Sequence, residues 1–118
     1  MASSPATMGL GALDHVAVRV SDPDALSQFL TDVLGVERHG TDTRRLFNLP
    51  GGVTLAVFPV GADSGGIGDR GESRLPDHMA LRVDSLEAVK AHLGQHGYEL
   101  DGDMLMAPGG LVLQFVGH

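Results

Sequence analysis

The chain has no cysteine and no tryptophan, and only one tyrosine and four phenylalanines among its 118 residues. Without cysteine there are no disulfides, thiolate nucleophiles or sulfur-ligated metal sites, and the redox compartment stays open. With so few aromatic rings, the core has to be aliphatic, built from Val and Leu. Basic residues are scarce as well: eight Lys and Arg against fifteen Asp and Glu give a net charge of −7. That balance argues against nucleic-acid backbones and anionic membrane surfaces, and small molecules or proteins are the expected partners. No apolar run approaches the ~20 residues that a membrane-crossing helix needs. The opening MASSPATMGLG lacks the basic and apolar regions of a secretory signal, so a cytoplasmic location is expected. Residues 1–11 read as a mobile tail without chemistry.

What the chain does have is a repeat. LDHVAVRV, Leu13 to Val20, is written again as PDHMALRV from Pro76 to Val83. Aligned on the histidines, Asp14, His15, Ala17, Arg19 and Val20 recur as Asp77, His78, Ala80, Arg82 and Val83, five matches in seven positions. The turn Pro50-Gly51-Gly52 likewise recurs as Pro108-Gly109-Gly110. The sequence is an internal duplication. Each half is too short to bury a stable core alone, so the two are expected to share one domain: a first module over about 12–60, a linker over 61–75 and a second module over about 76–118.

Alternation assigns faces within the repeated strand. Val16, Val18 and Val20, like Met79, Leu81 and Val83, fall on one face and want a helix over them. His15, Ala17 and Arg19, like His78, Ala80 and Arg82, fall on the other face, where they are better suited to lining a cavity than to building a core. After the first strand, Ser21 and Asp24 read as a variant capping box with Pro23 near the first helical position. Leu26, Phe29, Leu30, Val33 and Leu34 then mark an amphipathic helix ending at Gly35. Strands are expected at Val36 to His39, Arg44 to Leu49 and Val53 to Val60. The second half repeats the order: a strand at His78 to Val83, a helix from about Asp84 or Ser85 to Gly97, then strands at Tyr98 to Leu100, Met104 to Ala107 and Leu111 to Val116.

Two βαβββ units, each opened by D-H-x-A-x-R-V, resemble the vicinal oxygen chelate superfamily, which includes glyoxalase I, methylmalonyl-CoA epimerase, extradiol dioxygenases and bleomycin-resistance proteins. The resemblance runs from about Leu13 to Val116. It implies an α+β fold in which paired βαβββ modules form an open eight-stranded cup, with a divalent metal on the concave face held by first-strand and last-strand residues. Carried over position by position, it implies metal ligands at His15, His78 and Gln114, with Ala56 at the fourth position. Arg19 and Arg82, on the histidine-bearing face, and Ala56 are the candidate substrate-binding residues.

Two ligand positions depart from the family pattern. Ala56 offers no donor, and Gln114 offers an amide oxygen where a carboxylate is usual. Two imidazoles from different strands suit Zn, Ni, Mn or Fe, but neither they nor an amide compensate the ion's charge, so metal binding is conditional. Neither Ala56 nor Gln114 can remove a proton from carbon. Glu37, Glu99 and Tyr98 are the other titratable candidates, and no catalytic residue is assigned. Arg19 and Arg82 read either as ligands for a substrate carboxylate or phosphate, or as solvated strand ends. His39, His92, His96 and His118 read as surface residues. One function reading is a divalent-metal-dependent enzyme, of lyase, isomerase or dioxygenase type, acting on a small oxygenated substrate. The alternative is a non-catalytic small-molecule binding or antibiotic-sequestering resistance protein. A purely structural module is a third. Open sheet edges lead to the expectation of a homodimer.

Overall fold

Alternation in the first strand holds except at Arg19: in the computed structural model, which describes residues 8–9, 11–60 and 77–117, Val18 and Val20 are buried while His15 and Ala17 are exposed, but Arg19 is buried with the valines that flank it. The linker expected over 61–75 lies outside the described residues. β1 (His15–Val20) pairs in parallel with β4 (Val53–Pro59), which continues antiparallel into β3 (Arg45–Leu49) and β2 (Glu37–Gly40). The second module forms a separate sheet of β5 (Met79–Arg82), β7 (Val112–Val116) and β6 (Met104–Met106), again with a parallel first pair and an antiparallel second. Its helix, α2 (Leu86–Gln95), starts where Ser85 Oγ accepts from Ala88 N at 3.1 Å. The molecule is therefore α+β, two βαβββ-like modules in one chain, and its described residues form seven strands.

Three local features differ from the sequence expectation. α1 (Pro23–Gln28) is capped by Asp22, whose Oδ1 accepts from Ala25 N at 3.0 Å. Pro23 takes the first helical position and so makes Asp22, rather than Ser21, the half-in residue. The helix then widens into a π-helical turn over Phe29–Val33, where the Thr31 hydroxyl donates to the carbonyls of Ser27 and Gln28. Gly35 terminates it at φ +71°. Tyr98 to Leu100 does not ladder as a strand. The Tyr98 N–H closes α2 by donating to Leu93 O at 2.9 Å, and Asp101 exchanges both backbone bonds with Met104 across a tight turn.

The helix-bearing faces of the two sheets meet each other. Leu26, Phe29, Leu30, Phe47 and Leu55 of the first module and Leu93, Leu111, Leu113 and Phe115 of the second belong to one continuous core. His92 Nε2 of α2 donates to Val33 O at the end of the π-helical turn, 2.6 Å away, and the Phe29 and Tyr98 rings pack edge to face at 5.0 Å. His92 is exposed, as its i, i+4 spacing with His96 led one to expect, and it also bonds one module to the other. A cavity of about 480 Å³ remains between the modules, bounded by Val36, Leu49, Leu81, Val83, Val89 and His92 among others. The burial of both apolar faces in one interior is what stabilises modules that would each be too small alone.

Candidate ligand-binding site

Because the apolar faces meet inside, the histidine-bearing faces are turned outward, and within one chain they do not face each other. On the first module, the strand register sets out two lateral rows. One runs Glu37, Asn48, Thr54, His15 across β2, β3, β4 and β1, and the next runs His39, Leu46, Ala56, Ala17. On the second module, Met104 and Ala80 flank Gln114, while Met106 lies opposite Val112. Ala17 pairs with Ala56 as Ala80 pairs with Gln114, so the two expected last-strand positions are equivalent in the fold as they are in the repeat.

Both histidines keep local partners. His15 Nδ1 lies 2.8 Å from Asp14 Oδ2, and His78 Nδ1 lies 2.8 Å from Asp77 Oδ2, so the duplicated Asp-His pair is also a duplicated hydrogen bond. In each case the contact fixes the ring and leaves Nε2 directed elsewhere. Gln114 donates through Nε2 to Asp103 Oδ2 at 3.0 Å, which assigns its amide nitrogen and leaves its oxygen free to accept. Ala56 is 3% exposed, sunk between Ala17 and Leu46. The two arginines diverge: Arg19 is buried, at 5% exposure, whereas Arg82 is exposed.

As a metal site within one chain, this set does not fit. His15 and His78 lie in different sheets on faces turned apart, Ala56 has no donor, and Gln114 carries no charge. Among the described residues, no three His, Asp or Glu side chains converge as a metal would require.

The open faces carry exposed apolar side chains beside exposed polar ones. Of the exposed large hydrophobic residues, Met106 at 69% and Val116 lie on the second module's open face. Leu13 and Val60 fall in phase with His15 on β1 and with Ala56 on β4. Exposed apolar side chains on the same kind of face make that face the candidate binding surface. Sequence reasoning named Glu37 but missed its partners in the polar counterpart of that surface, Asn48 beside it and His39 in the next row. His39 Nε2 lies 2.8 Å from Asn48 Oδ1, and Asn48 Nδ2 donates to Glu37 Oε1 at 2.9 Å. Those contacts depend on the β2–β3 register, which the turn residues do not specify uniquely.

Comparison with known proteins decides the family. The profile of the glyoxalase/bleomycin resistance protein/dioxygenase superfamily matches residues 12–110. The chain belongs to that superfamily. No curated protein matches it significantly. Among solved structures, lactoylglutathione lyase from Agrobacterium tumefaciens is similar with a TM-score of 0.75 at 17% identity, covering 92% of this chain and 95% of that one. TnmS3, an antibiotic binding protein from a Streptomyces species, gives a TM-score of 0.70 at 18% identity, covering 93% and 98%. The oxidase ChaP-H2 gives 0.66 at 20% identity, covering 92% and 94%. Superfamily members with a lyase's, a binder's and an oxidase's names thus share this fold, and at these identities the likeness carries the fold alone. Among the described residues, no helix is long and apolar enough to cross a membrane.

Proposed function

We propose that two copies of this chain pair to form shared cups, each made from the first module of one copy and the second module of the other, and that each cup binds an apolar, oxygen-bearing small molecule without a resident metal. The observation that carries this reading is the apolar open face, with Met106, Val116, Leu13 and Val60 exposed on it or in phase with it. β1 and β5 are both edge strands of their sheets and carry the same motif. Edge pairing between copies would satisfy their free backbone groups and set the two open faces side by side. Gln114 bonded to Asp103, and Ala56 without a donor, favour hydrogen-bonding and apolar contact over ligation.

The test is binding of a flat apolar probe, β-naphthol methyl ether, followed by calorimetry alongside light scattering. The expected result is a dimer with one saturable site per chain, and Met106→Glu lowering affinity about tenfold by placing a desolvated charge against the probe. A monomer, or binding indifferent to Met106→Glu, would contradict the proposal.

A second reading, a metal-dependent enzyme, is favoured by the duplicated His15 and His78. In a shared cup, His15 and His78 of the partner subunit would approach one another, with Gln114 of the partner subunit beside them. Zn, Ni, Mn or Fe bound there would act as a Lewis acid on a substrate oxygen. In that case Arg19 and Arg82 would be the cationic groups nearest a substrate anion.

A further inference from the structure

We infer that Glu37, Asn48 and His39 form a hydrogen-bond acceptor subsite at the β2 edge of the open face, in which His39 Nδ1 accepts a hydrogen bond from a ligand hydroxyl. The inference rests on the shared-cup binding reading and names the kind of ligand that the cup selects: a flat hydroxylated aromatic rather than a plain hydrocarbon or an ether.

Asn48 has a fixed orientation. Its Nδ2 donates to Glu37 Oε1 at 2.9 Å, and a carboxylate only accepts, so the amide cannot be turned the other way without setting oxygen against oxygen. Asn48 Oδ1 therefore faces His39, and the 2.8 Å contact requires His39 Nε2 to be the donor. The neutral ring is then the Nε2–H tautomer, with a lone pair on Nδ1. Nδ1 makes no hydrogen bond among the described residues. Glu37 and Asn48 position the ring, and His39 is the group that meets the ligand.

Register puts this acceptor on the ligand-facing surface. His39 shares its lateral row with Leu46, Ala56 and Ala17, a low apolar strip that ends at the β1 edge where the second half of the cup joins. Four strands at ~4.8 Å spacing make the strip ~14 Å wide, room for two or three fused rings lying flat with one hydroxyl at the β2 end. A phenolic hydroxyl donates strongly and its ring covers the apolar strip. An ether of the same shape leaves Nδ1 desolvated and unpaired, and that is the source of discrimination.

The experiment compares β-naphthol with its methyl ether on wild type, His39→Phe and Asn48→Leu, and records ¹⁵N histidine spectra of the free proteins. Wild type is expected to prefer naphthol by about tenfold, the preference falling to near unity in His39→Phe as the ether, no longer set against an unpaired Nδ1, binds more tightly. His39 should resonate as the Nε2–H tautomer in wild type and as a tautomer mixture in Asn48→Leu. A positioning role for Asn48 moves that signature, whereas a merely structural role does not. Equal affinity for both probes, or an Nδ1–H tautomer in wild type, overturns the inference and leaves the binding reading intact. Failure of both probes to bind overturns the binding reading, and the inference falls with it.

Discussion

Replacing Gly109 by alanine is expected to cost about 3 kcal/mol of stability, against about 1.5 kcal/mol for the same change at Gly51. The two glycines occupy the same place in the repeated Pro-Gly-Gly turn and have nearly the same backbone, with φ of +88° and +92°. Backbone strain in this region, which L side chains rarely adopt, is therefore common to both substitutions. Their surroundings differ. A Cβ at Gly51 meets nothing within 4 Å, whereas one at Gly109 would sit 3.1 Å from Val20 Cβ and 3.4 Å from the Asp22 carbonyl. Val20 is fully buried at the end of β1, so the added methyl presses on packed core and pushes the second module from the first. Denaturant unfolding of both variants at one protein concentration measures the difference. Equal costs would mean that the modules of one chain do not pack through their helix-bearing faces.

The second large effect is expected at Gln114. Gln114→Glu replaces an amide that donates to Asp103 with a carboxylate 3.0 Å from another carboxylate, in a partly buried position. The loss should be about 2 kcal/mol at neutral pH. Its pH dependence follows from like-charge repulsion, which raises the folded pair's proton affinity above its unfolded value. The penalty is therefore full above the carboxylate range and shrinks as pH falls and one group takes a proton. Adding Asp103→Asn restores a donor and acceptor in exchanged places and should recover most of the stability. The metal reading predicts something else: divalent Zn, Ni or Mn should raise the variant's thermal midpoint more than that of wild type, and the gain should vanish in a His15→Ala, His78→Ala background. A midpoint that metal leaves unchanged favours the apolar cup.

The repeat made much of this architecture legible. Five identities around His15 and His78 fixed which face of each first strand is apolar, and the register bears this out down to the equivalence of Ala56 and Gln114. Local signals also placed the ends of both helices to within a residue or two. What stayed hidden depends on contacts between distant segments. The i, i+4 spacing of His92 and His96 is a property of one helix, whereas the bond from His92 to Val33 O spans 59 positions and exists only because the modules pack. The role of His39 depends on a pairing that sets it beside Asn48, and a hairpin shifted by one residue would turn it to the other face. Arg19 and Arg82 are the same letter in the same motif, yet one is buried and the other exposed.

The central claim, a binding cup shared between copies, is tested most directly by mixing two variants that each block binding in a different module. Leu46→Glu places a charge on the open face of the first module, and Met106→Glu does so on the second. Each homodimer should have lost high-affinity binding of β-naphthol methyl ether. Co-refolding equal amounts yields heterodimers in which one cup carries both substitutions and the other carries neither. The account predicts that about a quarter of the wild-type number of sites returns, at wild-type affinity. If mixing restores no sites, each cup is built from a single chain, and the shared-cup account is wrong.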